Sequence, residues 1–136
     1  MQNNIQRTFS MIKPDATKRE GVVEQIQAIL EANGLKIIEQ RKIRLTEEVA
    51  TEFYAEHKER SFFPDMIKNI CSGDVIVQIL EGENAVLKNR EIMGATNPAA
   101  AAEGTIRKMF GLNIDYNSIH GSDSAESAAR ELAMFF

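Results

Sequence analysis

The chain has 136 residues, of which 43% are hydrophobic and 26% charged, with a formal net charge of −4. This is the composition of one packed domain, and we read residues 1–136 as a single unit. The acidic balance disfavours nucleic acid or an anionic membrane as the main partner, while leaving room for a local basic site. Cys71 is the only cysteine, so no internal disulfide framework can form, and an intracellular, cytoplasmic location is expected. Its apolar surroundings suggest a buried structural thiol. The opening MQNNIQRTF has no apolar core of a signal peptide, and no stretch approaches the ~20 apolar residues of a membrane span.

In chain order, IQRTFSMIK (5–13) is rich in branched and aromatic residues and predicts a strand ended by Pro14. Val22, Val23, Ile26, Ile29 and Leu30 recur at helical spacing, with Thr17 and Glu20 as a candidate capping box and Asn33-Gly34 as the stop. Residues 35–45 alternate as a second strand. Thr46 is placed to cap a helix over 46–57, and a second helix is expected over 61–72. VIVQIL (75–80) is the clearest strand, and its continuous apolar character predicts a central position. Asn84–Met93 reads as a helix.

The pattern breaks over 94–116, where Gly94, Pro98, Gly104 and Gly111 interrupt it. A long irregular segment in a compact domain is usually functional. A short helix is expected at 104–110 and a short strand around 117–120. The last helix should start near Asp123, with Asp123 and Glu126 at N-cap and N3 spacing. Its predicted buried face is Ala125, Ala128, Ala129, Leu132 and Phe136. The order β-α-β-α-α-β-α-β-α contains the split β-α-β-β-α-β unit. The expected class is therefore α+β: a ferredoxin-like four-stranded antiparallel sheet with helices on one face.

No P-loop, G-x-G-x-x-G, H-E-x-x-H, zinc-spaced Cys/His cluster or G-x-S-x-G elbow is present. The chain has two histidines, His57 and His120. His57, in AEHKER, is assigned no role. His120 lies in NSIHGSDS, between an apolar step and a glycine. A neutral imidazole has a free lone pair and can form covalent intermediates. Gly121 would let a bulky electrophile approach, and the Ser122-Asp123 turn offers groups suited to an anion. The same octapeptide also fits a half-buried histidine bonded to a carbonyl. Lys13, Arg90 and Arg107 are each consistent with solvated charges, or with a phosphate clamp if the fold brings them together. Of the adjacent pair Phe62-Phe63, one ring is expected in the core and the other exposed, where a base can stack.

Taken together these residues resemble the nucleoside diphosphate kinase family over nearly the whole chain. Asn117–Asp123 fits its N-x-x-H-G-S-D signature. T-F-S-M-I-K-P-D (8–15), R-x-F-F (60–63), G-A-T-N-P (94–98) and G-T-I-R (104–107) follow in the family order. The resemblance implies a phosphotransferase that moves the γ-phosphoryl group of a nucleoside triphosphate to a diphosphate through a phosphohistidine, with broad base tolerance. It implies His120 as nucleophile, oriented by Glu131 with Ser122 beside it. Lys13, Tyr54, Arg90, Thr96 and Arg107 match positions that hold or polarise the phosphates. Asn117 matches the sugar contact, Phe62 the stacking ring and Ile114 the residue opposite it. Mg2+ is implied on the nucleotide phosphates, with Asp123 near it and no direct protein ligand. ATP, GTP and their diphosphates are the implied substrates, and a homo-oligomer, a tetramer above a dimer or hexamer, is the implied assembly. Ser61 stands where many members have proline, and Asp115-Tyr116 where many have a glycine-containing pair. A binding module on the same sheet, of RNA-binding type, and a catalytically silent relative are the alternatives. The acidic pI of about 5.3 argues against the first, and the presence of His120 and the cations against the second.

Overall fold

The computed structural model describes residues 5–55, 58–113 and 116–136. His57 and Ile114 lie outside the described residues.

Four strands form: β1 (Ile5–Ile12), β2 (Lys36–Ile43), β3 (Val75–Glu83) and β4 (Ile119–Gly121). They make one sheet in the order β2-β3-β1-β4, with every neighbouring pair antiparallel. β3 is central, as its apolar run predicts. Seven helices are described: α1 (Pro14–Thr17), α2 (Val22–Ala32), α3 (Glu47–Phe53), α4 (Phe63–Ile70), α5 (Ala85–Met93), α6 (Ile106–Phe110) and α7 (Ala125–Phe135). A 3-10 turn at Pro98–Ala100 interrupts the irregular segment.

The split unit is present: β1, α2, β2, β3, α5 and β4 are its parts. The helices, however, cover both faces of the sheet. Period-2 alternation explains why. Ile12, Ile76 and Leu80 point to one face, where Val22, Ile26 and Leu30 of α2, Met93 of α5 and Ile106 of α6 meet them. Phe9, Met11, Val75 and Val77 point to the other, where Phe53 of α3, Ile67 and Ile70 of α4 and Phe135 of α7 cover them. Both sides of the central strands are apolar, so neither can be left to water. The helices beyond the split unit supply the second cover.

Several local expectations shift. Thr46 caps α3, accepting from the Val49 N–H at 3.2 Å. Thr17 and Glu20 do not form a capping box: Thr17 belongs to α1, and α2 starts after Gly21, whose φ of 79° a glycine tolerates. α1 exists because Pro14 fits the first turn of a helix, where its missing N–H is no loss. The box on α7 is built by Ser124 and Ser127, not by Asp123 and Glu126. Ser127 Oγ also reaches Asp123 Oδ1 at 2.7 Å, which holds that carboxylate at the turn. The buried face of α7 is Ala128, Glu131 and Phe135, while Ala125 and Ala129 are exposed. The helix is rotated from the expected face so that a carboxylate points inward. Cys71 caps the end of α4 half-buried, and burial pushes its thiol up from its ordinary value. Phe63 packs on the core, while Phe62 is 43% exposed.

Candidate active site

His120 sits on β4, opposite Met11 of β1. Strand alternation turns Ile119 into one core and the imidazole toward the other face. There Phe53 meets the ring at a centroid distance of 4.9 Å and an angle of 71°. Phe9 and Tyr54 complete an aromatic wall, at 6.1 and 6.4 Å. The imidazole remains 24% exposed. It is not sealed in hydrocarbon, and it bonds to no backbone carbonyl among the described residues. Gly121 faces back to the first core. A Cβ there would lie 2.3 Å from Asn89 Nδ2 and 2.8 Å from Met93 Sδ of α5. Its glycine therefore allows close packing of α5 on β4, and Gly121 lines the same cavity as His120.

Glu131 of α7 is 3% exposed. Its Oε1 lies 3.0 Å from His120 Nε2 and accepts a hydrogen bond from Ser122 Oγ–H at 2.7 Å. Its other oxygen is 3.5 Å from Arg130. Burial pushes the carboxyl up, but the bonds from His120 and Ser122 and the nearby positive charges outweigh this and hold it below its ordinary value. An ionised carboxylate accepts only, so Nε2 is the donor, and in the neutral ring the lone pair is on Nδ1. Nδ1 makes no hydrogen bond among the described residues.

The imidazole opens onto a cavity of about 540 Å3. Lys13, Tyr54, Phe62, Arg90, Thr96, Arg107, Asn117, Asp123 and Glu131 all line it with His120. Residues far apart in sequence thus converge. Lys13 follows β1, and its Nζ donates to Asn117 Oδ1 at 2.9 Å while its backbone N–H donates to the Ser118 carbonyl at 2.8 Å. Asn117 Nδ2 donates to the Thr96 carbonyl at 3.0 Å. The turn before β4 is fixed by Ser118, buried at a φ of 74°, whose Oγ donates to Asp15 and accepts from Arg19.

Arg107 is 7% exposed. It holds the Gly94 and Ile119 carbonyls at 3.1 and 2.8 Å, and its Nε is buried with no partner among the described residues. Burial and then the positive charge of Arg90 lower its pKa from its ordinary value to about 10, with Tyr54 opposing. Two cations lining one cleft suit an anion. Burial, then Glu131, raises the Tyr54 phenol above its ordinary value against the pull of Arg107, so it stays a neutral donor. Asp123 is exposed; chiefly the Ser127 hydrogen bond, aided by Arg90 and His120, lowers its pKa against the effect of burial. No cluster of three or more His, Cys, Asp or Glu side chains suited to a metal occurs among the described residues.

Every described residue of the expected site lies at this one cavity or, like Ser122, one bond behind it; Ile114 is outside the described residues. Sequence reasoning missed Phe53, Met66 and Asn69, which also line it. The spacing of Met66 and Asn69 from Phe62, four and seven residues along one helix, is the signal that would have found them.

The family model for nucleoside diphosphate kinase matches residues 6–136. The chain belongs to the nucleoside diphosphate kinase family. It is similar to the nucleoside diphosphate kinase of Agrobacterium fabrum, with 58% identity over 97% of this chain and 94% of that protein. The enzyme of Methylorubrum extorquens is 56% identical over 96% and 93%. Among solved structures, the halophilic nucleoside diphosphate kinase of Halobacterium salinarum in complex with CDP superposes with a TM-score of 0.93. It is 41% identical, covering 99% of this chain and 88% of that one. That of Aquifex aeolicus gives a TM-score of 0.91 at 37% identity, over 97% and 95%. The activity is nucleoside diphosphate kinase: reversible transfer of a γ-phosphoryl group between nucleotides through a phosphohistidine. A divalent cation accompanies kinase chemistry of this type. No helix among the described residues is long and apolar enough to cross a membrane.

Proposed function

We propose that His120 Nδ1 is the phosphoryl acceptor. The observation that carries this reading is the Glu131–His120 contact of 3.0 Å, which occupies Nε2 and leaves Nδ1 as the nucleophilic atom at a cationic cavity. The γ-phosphorus forms a bond to Nδ1 as its bond to the bridging oxygen breaks. The electron pair goes to the departing diphosphate, and the reverse step delivers the group to a second diphosphate. The developing charge is spread over Lys13, Arg90 and Arg107, with hydrogen bonds from Tyr54 and Thr96. Ser122 and Glu131 orient the ring. Asn117, held by Lys13 Nζ at 2.9 Å, meets the sugar, and Phe62 stacks on the base. A stacking ring accepts any base, so ATP, GTP and other nucleotides serve. Mg2+ is the cation we assign: with no direct protein ligand and Asp123 the nearest carboxylate we assign to it, it would supply neutralisation of the phosphate charge. Residues 1–136 act as one domain, in the cytoplasm, as a homo-oligomer for which a tetramer is our reading.

The test is to incubate the protein with γ-labelled ATP. Acid-labile, alkali-stable label on the chain, discharged by any nucleoside diphosphate and absent from His120→Ala, is the expected result. Label retained by His120→Ala overturns the assignment.

A further inference from the structure

We propose that Asn69 reads the sugar of the bound nucleotide, favouring ribose over deoxyribose, and that Tyr116 positions it. This rests on the reading of the cavity as a nucleotide site. Phe62, Met66 and Asn69 all line that cavity and follow one face of α4. At 1.5 Å per residue, Asn69 lies roughly 10 Å inward from Phe62 along the helix. Phe62, the more exposed end, is the place for the base. Arg90 and Arg107 mark the phosphate end. The sugar, which joins the two, falls at the level between them.

Asn69 stands at that level by a second, independent connection. The Tyr116 hydroxyl donates to Asn69 Oδ1 at 3.0 Å. Tyr116 directly precedes Asn117, whose own side chain is held against Lys13 at 2.9 Å. The two walls of the cavity, α4 and the 116–117 segment, are clipped together there. The clip also settles which end of the amide is spoken for. Oδ1 answers the phenol, and Asn69 Nδ2 has no hydrogen-bond partner among the described residues. Its two N–H donors suit a hydroxyl oxygen. The 2′-carbon is bonded to the carbon that carries the base, so the helix that meets the base meets the 2′-hydroxyl before the 3′.

The experiment compares kcat/KM for GDP and dGDP, with ATP as donor, in the wild type, Asn69→Leu and Tyr116→Phe. The wild type prefers GDP. In Asn69→Leu the GDP/dGDP ratio falls roughly five-fold, the worth of one hydrogen bond in a partly open site. In Tyr116→Phe, which removes a single oxygen from an exposed side chain, the ratio falls by about two-fold as the amide loses its anchor. A ratio in Asn69→Leu equal to the wild type, including an equal loss for both nucleotides, overturns the sugar contact. A wild-type ratio retained in Tyr116→Phe overturns the positioning role. Phosphohistidine formation by the wild type is measured alongside: its absence would remove the nucleotide reading itself, whereas its presence with an unchanged ratio removes Asn69 alone.

Discussion

Glu131 Oε1 and His120 Nε2 lie 3.0 Å apart, and the same oxygen takes the Ser122 hydroxyl. One buried atom therefore decides which nitrogen of the ring is nucleophilic. We expect the phosphoryl group on Nδ1 of the phosphoenzyme, identified by the phosphorus and nitrogen NMR shifts that separate the two phosphohistidine isomers. Phosphate on Nε2 would contradict a proton held there by Glu131.

Replacing Glu131 by Gln keeps the size but offers either an oxygen or an amide to Nε2, so the tautomer is no longer held. kcat is expected to drop about 10- to 100-fold, the range seen when an orienting partner is removed. His120→Ala should give no phosphoenzyme while its far-UV circular dichroism stays native. Equal losses in the two variants would mean that Glu131 does more than orient.

The same carboxyl links stability to pH. Its pKa is held below the ordinary 4.5 in the folded state. A depressed carboxyl pKa contributes stability that is present above the unfolded value and lost as pH falls through the folded one. The stability difference between wild type and Glu131→Gln, read from urea midpoints, should therefore narrow as pH drops below about 4.5. A difference that stays constant through that range would break the linkage.

Gly121→Ala drives a methyl into Asn89 and Met93. Both are buried, so α5 must move. Overpacking of this kind costs about 1–3 kcal/mol. A thermal midpoint unchanged from the wild type would show that α5 yields freely.

Arg90 is exposed and raises the cost of charging the buried Arg107. An anion between them relieves that cost. Arg90→Ala should leave the unliganded thermal midpoint nearly unchanged, yet weaken ADP binding by about ten-fold or more. Calorimetric titration checks it, and equal affinities would remove Arg90 from the clamp.

Much of this fold is legible in the sequence where one physical signal dominates. β3 announces itself by an unbroken apolar run, α2 by its helical repeat, and α3 by Thr46. The nucleophile is legible through the seven residues around it. What escapes is whatever depends on a partner remote in the chain. The alanines of α7 read as its buried face, but the need of His120 for a carboxylate turns Glu131 inward instead. Gly121 reads as an opening, but the close approach of α5 behind it has no local signal. Asp123 and Ser124 are both competent caps, and only the backbone path selects Ser124. The gathering of Lys13, Arg90 and Arg107 has no local signature at all, because each is an ordinary cation on its own element.

The strand that carries His120 is short, and it closes the sheet against β1, the earliest of the four in the chain. Lys13 waits at the end of that strand, while Glu131 arrives on the last helix. A ribosome-bound chain released only as far as α6 would hold its cations and its aromatic wall but no reactive imidazole. Phosphoryl transfer through His120 thus requires late-translated residues docked onto early ones, and a chain stopped at α6 lacks the reactive ring.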